Sequence, residues 1–522
     1  LGSEQLQALT AGQVRALSTG QINSLNTSQV ENLTTAQAQS LSSTQLNALS
    51  STVTQAIETV DLQALTSTQM RTLSATQLNK LSDEQVGAIT TVQIQSLTST
   101  QLNGLSSGVV QALDSVQVNA LTSTQVGGLS SATLSKLTVE QVADLTEATL
   151  VAIATGALQG VSTAQLNALD SAQVQQLSTS QVQALTSTQL NNVDVEQLAN
   201  LSSTQVTALT SRQLNAMSST AIQALETGDV QAMSSTQIQS LSTATINKLS
   251  QEQLESLSET QLQALSSSQL NALTSSSVQS LTTDGINDLT TTQVQGLSAA
   301  LLNRMSTEQM GALATSRVLA IGTAALQALS TDQLNALLSS QVQALSSSQL
   351  QALTSTQLNR VDTAQLANLS STQVQKLSSA QLNALNSTAL QSLDDGDVAA
   401  LSSAQVQALS TGQLNNLTTS QVGALTSDQV KSLTSAQLNA LSSVQLQSLT
   451  TAAVAAMLTT QVAALSSVQL NNLGSEQLQA LTAGQVGALT TGQLNSLNTS
   501  QVENLTTAQA QSLSSTQLNA LS

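Results

Sequence analysis

Residues 9–33 read LTAGQVRALSTGQINSLNTSQVENL, one eight-residue phrase written three times. Stepping by eight from Leu9 reaches Leu17, Leu25, Leu33, Leu41 and Leu49, and the phase holds to Leu521. Each of these positions carries Leu, Ile, Val or Met, as in Ile57, Val161 and Met217, and no insertion breaks the register. A repeat this strict requires each unit to stack on its neighbours, so the chain is an array and not a globule. One continuous array over residues 1–522 is expected, because no linker or shift of composition interrupts it.

The octad is labelled p1 to p8, with the fixed aliphatic at p8. Position p1 is Ser, Thr, Asn or Asp almost throughout, p4 is mostly Gln, p5 is Leu, Val or Ile, p6 is mostly Asn or Gln, and p7 is small. A hydroxyl at p1 with Gln at p4 has the spacing of a capping box, so Thr10 with Gln13 and Ser18 with Gln21 are expected helix starts. Positions p5 and p8 are i,i+3 neighbours, which puts Val14, Ile22 and Val30 with Leu9, Leu17 and Leu25 on one inward stripe. A single long helix fits badly, since an octad turns it by about 800° and the stripe drifts by about 80° each time. The expected fold is therefore all-α, a tight solenoid of very short capped helices, one per octad. A β-solenoid is the alternative, because Gln, Asn and Thr rows suit stacked strands; against it, Ala, Leu, Gln and Asn are poor strand formers and period two is absent. Helices of one or two turns are not stable alone, so packing between coils must hold them, and small p7 residues let the coils approach.

Asn at p6 gives the coil size. It recurs at 23, 47, 79 and 103, and later at 191, 215, 247 and 271, in steps of three or four octads. Asn marking one side of the coil implies three and a half octads per coil. A longer period lies above this. Glu58 with Asp61 returns as Glu226 with Asp229 and as Asp394 with Asp397, and Ile153 returns as Ile321, always twenty-one octads on. Residues 473–522 repeat 1–50 almost letter for letter. Block duplication accounts for both periods; a surface feature selected to return every six coils is the other reading.

Composition narrows the chemistry. The chain has no His, Cys, Trp, Tyr, Phe or Pro, is 8% charged, and carries a net charge of −18. The commonest acid–base groups, nucleophile pairs and transition-metal ligands are missing, so no enzyme and no cofactor is expected. Without aromatics bases cannot be stacked, and the acidic balance opposes phosphate backbones, so no nucleic acid is expected. No apolar run reaches the roughly 20 residues of a membrane span. The opening Leu1-Gly2-Ser3 falls mid-phrase, as in a segment of something longer. The acidic pairs Glu58/Asp61, Glu226/Asp229 and Asp394/Asp397 sit at p1 and p4, where capping and the helix dipole favour them. A weak Ca²⁺ site at the same residues is the competing reading, although nothing resembles an EF-hand loop.

The phrase LTSTQVGGL at residues 121–129 resembles two things. One is the helix-opening phrase of TAL effector repeats, whose longer basic unit and base-reading loop are not here. The other covers the whole chain: runs of LTxxQVxAL octads look like the repeat regions of giant bacterial surface proteins, often labelled adhesin-like. That resemblance implies an extracellular or cell-surface structural segment, a stalk or filament whose partner is itself. The alternative it leaves is an adhesive module whose Ser/Thr-rich face takes a surface glycan, mineral or ice.

Overall fold

The computed structural model describes residues 2–521. They form 65 helices of four to six residues each, and no strand occurs among the described residues. The β-solenoid alternative is thereby excluded. Each helix opens at p2, runs through p5, and ends at p5, p6 or p7; the chain then passes into the next extended p1. Such short helices leave many backbone amides and carbonyls without an intrahelical partner, so the fold depends on where those groups find partners.

The chain packs as two compact units, Leu1–Leu265 and Ser266–Ser522. In the first, helices stack on those three octads away, as Ser203–Ala208 does on Thr227–Ala232. Some also touch a helix four octads away: Ser99–Asn103 meets both Ser123–Gly127 and Ser131–Leu134. Three and four average to three and a half, the coil implied by the Asn spacing. The second unit repeats the scheme, with Ser403–Ala408 on Ser427–Ser432 and Ser267–Asn271 on Ala299–Leu302.

The apolar stripe is the core of both units. Val182, Val206 and Leu214 in the first and Leu350, Leu382 and Leu438 in the second are shut off from solvent. The two halves of the stripe face different coils. Among the first octads Val14, Ile22 and Val30 are buried, whereas Leu9, Leu17 and Leu25 are only half-buried. Near residue 520 the order inverts: Leu513 is buried and Leu518 exposed. So p5 is covered by the coil that follows and p8 by the coil that precedes, and an octad has a full core only between two others.

Position p7 sets how close coils come. A Cβ added at Gly160 would lie 2.1 Å from the Ser131 carbonyl oxygen, one turn earlier. At Gly128 the same atom would meet the Ser99 side chain at 2.4 Å. Only a residue without a side chain allows that approach.

Candidate functional site

The polar chemistry of the chain is concentrated between coils. Thr10 illustrates the local half: its Oγ1 accepts from the Gln13 amide at 3.3 Å, and its own amide donates to Gln13 Oε1 at 2.9 Å. Ser18 and Gln21 do the same at 3.3 and 2.8 Å. Two amides of each helix start are thereby satisfied.

The other end of the same glutamine is the principal feature that sequence reasoning missed. Gln45 Nε2 donates to the carbonyls of Val14, Arg15 and Leu17 at 3.1, 3.2 and 2.8 Å. These are the last-turn carbonyls at p5, p6 and p8, one coil earlier. In the second unit Gln429 reaches Val398 and Leu401 at 3.0 and 2.6 Å. The p4 side chain therefore caps two helices at once, the start of its own and the end of one a coil behind. It is buried as a consequence, with Gln181 1% exposed and Gln341 1% exposed. A signal for this lay in the sequence: a capping box takes Glu as well as Gln, yet no octad has Glu at p4. Only an amide can accept at one end and donate at the other.

Position p6 makes the forward link. Asn79 Nδ2 donates to the Gly104 carbonyl at 2.9 Å, and its Oδ1 accepts from the Ser106 amide at 2.7 Å. Gln at p6 also reaches forward, as Gln63 does to the Ala88 carbonyl at 3.1 Å. Asn therefore competes with p4 Gln for the same p1 amide, and the sequence records the competition. Where Asn captures that amide, p4 of the octad so capped is often relieved of being Gln. The pairs include Asn79/Val109, Asn103/Thr133, Asn191/Ala221 and Asn271/Leu301. At three octads where Gln remains, it keeps its donor to the coil behind, as Gln333 does to the Met305 carbonyl at 2.8 Å, but its accepting end loses the p1 amide. Asn167, Asn303 and Asn335 take the amides of Asp194, Ser330 and Asp362, each at 2.9 Å. The Oε1 atoms of Gln197, Gln333 and Gln365 are then buried without partners. Asn79→Ala should accordingly cost about 1–2 kcal/mol, because the Ser106 amide has only Val109 at p4 to turn to. Asn303→Ala should cost less than half as much, because Gln333 Oε1 stands ready. Equal losses of thermal stability in the two variants would refute the competition.

Basic residues at p7 supply the missing donor in a third way. Lys136, Lys248 and Arg304 donate to the carbonyls of Leu105, Met217 and Leu273 at 2.5, 2.6 and 2.8 Å. In those octads p4 is Thr133, Thr245 and Leu301. The same p8 carbonyl is thus met by a p4 amide or a p7 cation.

The acidic pairs depart from this pattern. Asp61, Asp229 and Asp397 occupy p4 and are buried, at 3%, 5% and 1% exposed. Their p1 partners differ: Asp394 caps its helix through the Asp397 amide at 2.7 Å, whereas Glu58 and Glu226 make no side-chain cap. Ser203 donates to Asp229 at 2.7 Å and Ser371 to Asp397 at 2.9 Å. The Oδ2 atoms of Asp61 and Asp229 are buried without a partner. Beside Asp61 an open groove of about 590 Å³ is lined by Glu31, Glu58 and Glu84. Among the described residues no group of three or more acidic side chains is placed to hold a metal ion. Burial, and then the Glu58 charge, push Asp61 up to about 6. Burial also raises Asp397, against the hydrogen bonds from Ser371 and the Asp394 backbone.

A raised acid binds its proton more tightly folded than unfolded. For Asp61 the favourable contribution is complete below about pH 4 and is lost as pH rises through about 6. Asp61→Gln should therefore stabilise the chain at pH 7–8, by up to about 3 kcal/mol for a rise from 3.8 to about 6, and much less at pH 4. A gain that is the same at both pH values would show that the carboxyl's charge is not the cause.

Among the described residues no helix is long and apolar enough to cross a membrane. A sequence profile described as the ALTTAQ repeat matches residues 1–35, 54–91, 94–131, 150–187, 222–259, 318–347, 374–411, 398–435, 432–467 and 459–491. No curated protein matches the chain.

Proposed function

We propose that this chain, which belongs to the ALTTAQ repeat family, is a non-enzymatic structural segment of a large bacterial surface protein, a stalk or filament outside the cell. The observation that carries the reading is the direction of its recurrent chemistry. The recurrent polar groups are spent inside the chain: the p1 hydroxyl caps its own helix, and the p4 and p6 amides bond to neighbouring turns. Repetition here serves the continuity of the coil, which is the property a spacer or fibre needs.

Homotypic contact is part of the proposal. The outward p3 position holds Val92 and Val116, 62% and 66% exposed and three octads apart, hence on neighbouring turns. Val444 and Val468 repeat the arrangement at 61% and 68%. Paired apolar side chains on a polar, weakly charged surface suit lateral contact between like chains. The Ser/Thr-rich face, with contacts such as Ser43 to Thr72 at 2.8 Å, is the feature that favours the second reading, adhesion to a glycan, mineral or ice surface.

Electron microscopy and sedimentation of the purified chain across a concentration series separate the two. The structural reading expects concentration-dependent fibres or bundles, weakened when Val92, Val116, Val444 and Val468 are replaced by Ser. A monodisperse monomer at high concentration that is retained on a glycan array or an ice or mineral surface would replace it with the adhesive one.

A further inference from the structure

Asn103 and Gly104 form the single Asn-Gly pair in the chain. In an unrestrained backbone such a pair readily loses ammonia, because glycine has no Cβ to keep its nitrogen from the asparagine Cγ. Here both reacting groups are occupied. The Gly104 amide donates to the carbonyls of Thr100 and Gln101 at 3.1 and 3.0 Å. Asn103 Nδ2 donates to the Gly128 carbonyl at 2.8 Å. Its Oδ1 accepts from the Ser130 amide at 2.8 Å and from Thr133 Oγ1 at 2.7 Å. Gly128 caps the end of helix Ser123–Gly127, and Ser130 caps the start of Ser131–Leu134. One carboxamide therefore ties its own helix, Ser99–Asn103, to two helices of the following turn.

We propose that Asn103 is a deamidation site gated by the stacking of turns. It is silent while the coil is closed and reacts once this stretch opens, and the product then weakens the link for good. In the reaction the Gly104 nitrogen gives up its proton to solvent and attacks Cγ. The N–Cγ bond forms, the Cγ–Nδ2 bond breaks, and Nδ2 leaves as ammonia. Water then opens the five-membered imide. One opening gives aspartate at position 103. The other gives isoaspartate, which carries the main chain through Cβ and Cγ and lengthens it by one methylene. Water is the only other reactant.

The gate follows from the hydrogen bonds. Attack requires the carboxamide to leave all three of its partners and the Gly104 amide to leave the helix, which means local opening of the two turns. The product cannot restore the link. Aspartate lacks the Nδ2 donor, so a carboxylate faces the Gly128 carbonyl, acceptor against acceptor. Isoaspartate also shifts the group that accepted from Ser130, and Thr133 stands at p4 of that octad where Gln would otherwise accept. The second unit supplies an internal comparison. Asn271, twenty-one octads on, donates to the Gly296 carbonyl at 2.8 Å and accepts from the Ser298 amide at 2.7 Å. Ala272 follows it, and the alanine methyl hinders the attack. The same link is made there without the reactive pair.

Mass spectrometry of the full chain aged at pH 8, in buffer and in urea, then digested with pepsin, tests this. The peptide over residues 98–110 should convert from amide to acid in urea, with isoaspartate among the products. In buffer the conversion should be at least about tenfold slower. The peptide over residues 266–278 should lag far behind in urea. Val126→Ala, which hollows a contact 1% exposed in the following turn, should raise the rate in buffer toward the urea rate and leave the urea rate unchanged. In the Asn103→Asp chain, hydrogen-exchange protection over residues 123–134 should fall by about tenfold, while residues 291–302 are unaffected. Equal rates in buffer and urea overturn the proposal, as does an Asn271 peptide that reacts as fast as the Asn103 peptide in urea. A Val126→Ala chain no faster than the native one in buffer would remove the gate. Unchanged protection in Asn103→Asp would remove the unlinking, and either result refutes the proposal as stated.

Discussion

Gln181→Glu should destabilise the first unit by about 3–5 kcal/mol at neutral pH, while Gln183→Glu, two positions on along the same helix, should be nearly neutral. Gln181 is 1% exposed; its Nε2 donates to Leu150 and Ile153 at 2.9 and 3.0 Å, and its Oε1 accepts from the Ser178 amide at 2.9 Å. Glutamate is the same size and keeps the accepting oxygen. It loses the donor, leaving two buried carbonyls unmet at about 1–3 kcal/mol, and sets a buried negative charge against them. Gln183 is exposed, so a charge there stays hydrated. If p4 glutamine were only a helix cap, both substitutions would be mild, because glutamate caps as well. Thermal or chemical unfolding of the two variants is therefore a direct comparison, and equal midpoints would remove the clamp from the account.

The largest effect is expected in the second unit. Leu382→Asp should cost at least about 4–5 kcal/mol, roughly the ceiling for ordinary single changes, since Leu382 is fully shut off from solvent and the new carboxylate has no partner. Ala380→Asp, earlier in the same helix Ser379–Ala384, should be neutral or slightly stabilising. That position is exposed and in the first turn, where the amide dipoles favour a negative charge by about 0.3–1 kcal/mol. Circular dichroism melts would report both. A comparable loss in the two variants would mean that the inward and outward faces have been assigned incorrectly.

What the sequence made legible was what is periodic along it. The register of p8, the helix starts at p1 and p4, and the coil of three and a half octads from the Asn steps all appear without coordinates, because each is a local or statistical property of the chain. The donor end of p4 glutamine was not legible by the same means. Its targets lie a full coil back, and no local rule points to them until the coil is closed. The absence of Glu at p4 was the available trace, and it acquires meaning only once a second partner is known. The split of the stripe into p5, which faces forward, and p8, which faces back, is likewise a property of stacking. Val14 and Leu17 look equivalent in sequence and are buried and half-buried in the fold. The relation between Asn at p6 and a relaxed p4 in the octad it caps joins two positions that are neighbours only across a coil. The acidic pairs were read as helix-start charges, and all three lie at helix starts; Asp394 also makes the capping hydrogen bond, whereas Glu58 and Glu226 do not.

The coil of three and a half octads is the claim on which the clamp and the competition both rest, and cysteine pairs test it most directly, since the chain has no cysteine of its own. Ser43 and Thr72 have hydroxyls 2.8 Å apart across one turn, and Ser211 and Ser240 repeat the contact at 2.7 Å. Ser43→Cys/Thr72→Cys should close to an intramolecular disulfide under mild oxidation. Ser43→Cys/Ala64→Cys and Ser43→Cys/Lys80→Cys, one octad short and one octad long, should stay reduced. A bond that forms in either control as readily as in the first pair, or in none of the three, would contradict the coil.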